Sequence, residues 1–215
     1  MRQTFKQRTI AEVVLLTLLA VSVPELCAQT NGERATKVRI DMQGIYGPLF
    51  ATIAGSEKRI AEEAQQAWII NGGRQVVYSS SQGAGGYENE GQSLHLYDVA
   101  TGKQKRIMSE YYMVDEMKEA VTSNKKQALL VTMSDGGLGA SYVAVVDPSR
   151  GEVFFRRWAR IVSHKGDIIV VGIFKEADWD KINNEQGARV RPYRRQSYDL
   201  KSLLRRPVIV NKRDQ

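Results

Sequence analysis

The chain has 215 residues, a formal net charge of +7 at pH 7, 42% hydrophobic residues, one cysteine and two histidines. A chain of this size buries an ordinary core without covalent staples. One cysteine excludes a disulfide framework and a Cys-ligated zinc site, and the histidines lie far apart without ligand spacing, which excludes a His-x-x-His metal centre. The basic excess is local. Positions 187–215 hold nine bases against Asp199 and Asp214.

The first element is a targeting segment. Met1 to Arg8 carries Arg2, Lys6 and Arg8 and no acid, and VVLLTLLAVSV (13–23) is uncharged and apolar. Pro24 then breaks the run, and Leu26-Cys27-Ala28 follows. This order of basic, apolar and small-residue regions reads as a secretory signal peptide over 1–28. The apolar run is shorter than the roughly 20 residues a spanning helix needs. A lipid-bearing Cys27 fits poorly, because Leu26 stands where lipoprotein signals carry a small residue. The expectation is a single domain over 29–215, periplasmic or secreted, with no transmembrane segment after cleavage.

The next elements repeat. GSEKRI (55–60) echoes GKQKRI (102–107) at a shift of 47, and LYDVATGK (96–103) echoes VVDPSRGEV (145–153), with Asp98 and Gly102 matching Asp147 and Gly151 at a shift of 49. Upstream, NGGRQVVYSSSQG (71–83) echoes SNKKQALLVTMSDGG (123–137), with Gln75 and Gln127 separated by 52. SHKGDIIVVGIF (163–174) repeats the idea, and SYDLKSLLRRPVIV (197–210) reads as a degenerate fourth copy with Asp199 but no Gly. Each unit is a polar turn, an apolar strand, a Gly-rich loop, a strand, a tight Asp–Gly turn and a returning strand. A leading partial unit covers VRIDMQGIYGPLFATIAGSEKRI (38–60). Four short strands per 40–52 residues are the sequence signature of a β-propeller. Some segments compete. SEKRIAEEAQQAW (56–68) has a helical composition behind a Ser cap, and DEMKEAV (115–121) and ADWDKINNEQ (177–186) are shorter helical candidates. If 56–68 is helical, the echo at Gly55 is coincidence.

The phrases LYDVATGK, VVDPSRGEV and NGGRQVVYSS resemble the strand–turn–strand signatures of TolB-type and related bacterial propeller repeats. The resemblance covers about 50–210. It implies an all-β fold, a small β-propeller-like array of about four four-stranded units, and a binding role rather than a particular reaction.

No catalytic constellation stands out. There is no nucleophile elbow and no Ser-x-x-Lys block, and the Gly-rich loops lack a phosphate-loop ending. His95 alternates with Leu94 and Leu96 and is expected on the opposite strand face. Asp178, Asp180, Asn183 and Glu185 are oxygen ligands without the spacing or glycine of a calcium loop, so no metal or cofactor is expected. Loops after the second strand of each unit are expected to share one face. They carry Tyr87, Glu88 and Glu90, then Asp135, then Trp179 with Arg189, Arg191, Tyr193, Arg194 and Arg195. Aromatic and Arg residues on long loops suit interfaces, and RVRPYRRQ (189–196) suits phosphates or carboxylates. After export that means another envelope protein or an anionic envelope component, not nucleic acid. The expected function is an exported, non-enzymatic binding or scaffold protein. The alternatives are an envelope hydrolase using loop carboxylates, or an incomplete propeller that acts only as an oligomer.

Overall fold

The computed structural model describes residues 32–81, 91–109, 113–134, 141–175, 177–178, 190–206 and 208–209, and these fall within one compact unit, Asn31–Gln215. The described residues form four sheets. The first contains β1 (Ala35–Ile40), β2 (Gly47–Ile53) and β3 (Ser56–Ala64), in that order. The second contains β4 (Gln66–Ile70), β5 (Gln75–Ser81), β6 (Gln92–Asp98) and β7 (Gln104–Ser109). The third contains β8 (Met113–Val121), β9 (Gln127–Ser134), β10 (Ser141–Asp147) and β11 (Glu152–Trp158). The fourth contains β12 (Arg160–Lys165), β13 (Ile168–Ile173) and β14 (Arg194–Asp199). Each sheet is an antiparallel meander of sequential strands.

The sequence echoes mark equivalent places in this array. Gln75 and Gln127 are the first residues of the second strands β5 and β9. The Asp–Gly echo is one turn made twice. The Gly102 amide donates to the Asp98 carbonyl at 2.9 Å, and the Gly151 amide donates to the Asp147 carbonyl at 2.9 Å. In each, the Asp carboxylate accepts from the turn: from Thr101 N and Oγ1 at Asp98, from Ser149 N and Oγ at Asp147. Gly102 and Gly151 have φ of +66° and +71°, a region that other L-residues enter at a cost. Those bonds also hold the Asp98 carboxyl below its ordinary range, the Thr101 hydroxyl being the largest cause.

Two helical expectations are overturned. Residues 56–68 form β3 and the start of β4, and 115–121 lie within β8. Ala54 and Gly55, with φ of +49° and +81°, close a two-residue hairpin between β2 and β3, so the echo at Gly55 is structural. Polar composition favoured helix there, but β3 is an outer strand whose solvent side tolerates charge, and sheet pairing overrides a weak propensity. The degenerate fourth copy also differs. Asp199 caps the short helix Leu200–Leu203 by accepting from Lys201 N and Ser202 N. Without a glycine the chain does not turn back. It runs on to β15 (Val208–Ile209), which pairs parallel with β11 as a fifth strand of the third sheet.

The core lies between successive sheets. Leu49, Ala51 and Ile60 of the first sheet meet Val76 and Tyr78 of the second. Leu94, Leu96 and Ile107 meet Leu129, Val131 and Met133 of the third, with Trp68 packed against them. Leu130, Val143 and Val145 meet Ile169 and Val171 of the fourth, sealed by Leu200, Leu203 and Leu204. The two middle sheets are therefore apolar on both faces, and each large side chain so buried contributes about 1.5–3 kcal/mol. Among the described residues no core cluster joins the first sheet to the fourth. The fold is an open, incomplete β-propeller-like array of 3, 4, 5 and 3 strands.

The first three sheets also carry a matching register slip, in β3, β7 and β11. Ile60, Ile107 and Phe154 are extra residues opposite Leu49/Phe50, Leu94/His95 and Val145/Val146. They fall 47 residues apart. β3 carries a second slip, where Glu62 and Glu63 together face Pro48. Pro48 has no amide to offer the ladder, so the slip costs little there.

Candidate functional site: the loop end of the sheets

The strands have two unlike ends. At one, short turns connect them. At the other lie the connections 41–46, 82–91, 110–112, 135–140 and 174–193. Three of these, after β5, β9 and β13, leave equivalent strands of successive sheets. Glu88, Glu90, Tyr87, Asp135, Trp179 and Arg189 belong to them and lie outside the described residues.

At this end of the strands is a polar floor. The Gln92 side chain is fully buried and bridges three sheets. Its amide nitrogen donates to the Gln65 side-chain oxygen and, at 3.3 Å, to the Tyr46 hydroxyl, while its oxygen accepts from Val114 N at 2.8 Å. Gln66 Nε2 donates to the Val114 carbonyl at 2.8 Å. Such a buried amide is tolerated only when its partners are satisfied. Further along, the Ser134 hydroxyl donates to Asp115 Oδ1 at 2.7 Å and Arg160 Nε donates to the buried Ser141 hydroxyl at 3.0 Å. Partial burial raises the Asp115 carboxyl above its ordinary range, opposed by the Ser134 bond and by Arg160. Burial likewise lowers Arg160, opposed by Asp115. The pair places a donor-rich and an acceptor-rich group at the junction of the third and fourth sheets.

The described part of the basic segment enters the fourth sheet at the same end. Arg191 and Tyr193 precede β14 and are exposed, Tyr193 by 50%. Arg194 and Arg195 open β14 opposite Ile173 and Gly172. A Cβ on Gly172 would meet Val162 Cγ2 at 2.8 Å and Pro192 at 3.0 Å, so Pro192 lies directly over the sheet and fixes the approach of this segment.

Sequence reasoning missed Asp115, Gln92 and Arg160. Asp115 sat in a run that read as helix. Gln92 and Arg160 act through partners 19 to 46 residues away, a relation no local pattern carries. His95 does face away from Leu94 and Leu96, beside Tyr78. His164 Nε2 bonds the Gly166 carbonyl in an exposed turn. Among the described residues no group of His, Cys, Asp and Glu could hold a metal ion.

No family model matches the chain, and no curated protein matches it. Two solved structures are similar. One is the β-propeller domain of the Trilobed protease from Pyrococcus furiosus, described as having an open velcro topology. It is 13% identical with a TM-score of 0.42, over 66% of this chain and 48% of that one. The other is the Pyrococcus horikoshii acylaminoacyl peptidase, 15% identical with a TM-score of 0.41, over 68% of this chain and 28% of that one. This chain spans less than half the length of either.

Proposed function

We propose that the chain is an exported, non-enzymatic binding module of the bacterial cell envelope, akin to TolB-type propeller repeats. It recognises another envelope protein, or an anionic envelope component, through the loop end of its sheets. One observation carries this reading: long connections leave equivalent strands of successive sheets above a cross-linked polar floor. The exposed Arg191 and Arg195 at the same end give that surface a positive edge, which favours acidic or phosphate-bearing partners. A photoreactive residue at Tyr193, at the loop end, and another at Lys125, in the opposite turn, test it in the cell. Crosslinks to a partner from position 193 and none from 125 support the reading. Equal crosslinking from both, or none from 193, overturns it.

A second reading has one observation in its favour. Asp115, whose carboxyl is raised by burial, has the property a general acid needs, so an envelope hydrolase could use it with loop carboxylates. Asp115→Asn would then abolish hydrolysis of peptidoglycan fragments while leaving crosslinking from position 193 intact.

A further inference from the structure

A cavity of about 610 Å³ opens between β3 and the second sheet, adjoining the loop-end floor where β3 runs into Gln65. One wall is Arg59 to Glu63 of β3, and the other is Tyr78, Ser80, His95 and Gln104. The wall on β3 is where that strand departs from β7 and β11, with two slips instead of one. Ile60 occupies the slip shared with β7 and β11, and Glu62–Glu63 form the second slip of β3. Bulges re-aim side chains, and they cluster beside binding sites.

The two walls are tied together. Gln104 Nε2 donates to the Ile60 carbonyl across the sheets, and Gln104 Oε1 accepts from the Tyr78 hydroxyl at 3.0 Å. The Tyr78 ring stacks on His95, centroids 5.1 Å apart and nearly parallel at 14°. One glutamine thus fixes the bulge, the tyrosine and, through the stack, the imidazole. The cavity is held in shape by these bonds, which lowers the ordering cost of binding.

The lining chemistry selects a ligand class. Arg59 is ion-paired with Glu62, and Glu63 is a further exposed carboxylate. With Arg59 offset by Glu62, the lining keeps one further negative charge at Glu63, which repels anions and can accept from hydroxyl groups. Burial and then Arg106 lower the His95 imidazole below its ordinary range, so at neutral pH it offers one donor and one acceptor. The polar groups therefore mix donors and acceptors at short spacing, as hydroxyl groups require. Ile60, Ala61 and the Tyr78 ring add an apolar floor for the C–H faces of a sugar ring. The size lies within the range of small-ligand sites.

We infer that this cavity binds a short, neutral, hydroxyl-rich glycan, held by Glu63, His95 and Ser80. The inference does not rest on the loop-end reading, since Glu63, His95 and Ser80 are not among the side chains that build the floor. The test titrates cellobiose, maltose and diacetylchitobiose into the full chain, with putrescine as a small cation and inorganic phosphate as an anion. Binding is followed by calorimetry and saturation-transfer NMR. At least one disaccharide is expected to bind, with neither ion competing. Glu63→Gln and His95→Gln should each weaken it about tenfold, the usual effect of losing one polar contact to a charged or buried group. Arg39→Ala, on β1 and separated from β3 by β2, should leave it unchanged. Glu63 is exposed, so its substitution reports on binding even if His95→Gln unfolds. No disaccharide binding, binding of putrescine or phosphate instead, or saccharide binding indifferent to Glu63→Gln would each overturn the inference.

Discussion

The first and fourth sheets each lean on a single neighbour, yet they finish their open faces in opposite ways. On the first, Arg39 stacks over Phe50 at 4.7 Å and pairs with Glu57 and Asp41. The ring is covered by a cation and the charges are mutually satisfied. On the fourth, Val162 and Ile168 remain 40% and 43% exposed. The fourth sheet is instead secured at its turn end. Asp167 accepts from Ser123 N and Oγ at 2.6 Å and pairs with Lys201 Nζ at 2.9 Å, joining the third sheet to the cap helix. The difference teaches that a terminal sheet needs one buried face and one anchoring device. The remaining face is free to vary.

The largest test of that comparison is in the shared requirement. Leu49→Ala in the first sheet and Ile169→Ala in the fourth each empty a fully buried position. Each should cost about 2–5 kcal/mol in chemical denaturation. A clearly smaller loss at Ile169 would mean that the fourth sheet is held by its anchor more than by its core.

The hairpins come next. Gly55 and Gly166 have φ of +81° and +56° with open space around them, so Ala introduces strain alone. Each substitution should cost about 1 kcal/mol, read as a lower midpoint with an unchanged denaturant slope.

The anchors differ with pH. The Asp167 carboxyl is lowered to about 2, first by the Ser123 hydroxyl and then by Lys201. Its folded value lies below the unfolded one, so its contribution is complete above the ordinary carboxylate range. It is lost as pH falls through about 2. Amide exchange in β13 and β14 should quicken over that interval, and Asp167→Asn should abolish the dependence. Glu57, lowered by its hydrogen bond to Arg39, should give the first sheet a parallel but separate loss. Exchange that is flat between pH 4 and 2 in the fourth sheet would remove Asp167 as its anchor.

The smallest effect belongs to the uncovered face. Ile168→Thr should change stability by no more than about 0.5 kcal/mol and leave the mass in solution unaltered. A larger loss, or a fall in mass by light scattering, would show that another copy covers this face.

Much of the fold was legible because its turns are local. Asp98 and Gly102 announce a turn whose hydrogen bonds lie within five residues, and Gln75 and Gln127 stand at matching strand starts. Residues 56–68 misled because the outer strand β3 carries charge on its solvent side, which mimics helical composition. The route of β15 was hidden for a related reason: the segment still alternates like a hairpin strand, and only the missing glycine hints that it does not return. At the loop end, the exposed Arg191, Arg194 and Arg195 stand out in the sequence itself, since clustered arginines need no partner to be noticed. Gln92 and the Asp115–Arg160 pair could not, because a floor assembled from several sheets exists only after the sheets stack.

The route of β15 has a consequence for association between molecules. Without it, β11 would be the rim of the third sheet, a seven-residue ladder of free amides and carbonyls. Long open rims recruit strands from other chains. β15 occupies that rim with two residues, opposite Phe155 and Arg156, and is itself too short to serve as a template. The last strand therefore works as a guard against fibre growth, and a chain ending before Val208 would be expected to aggregate long before it lost its core.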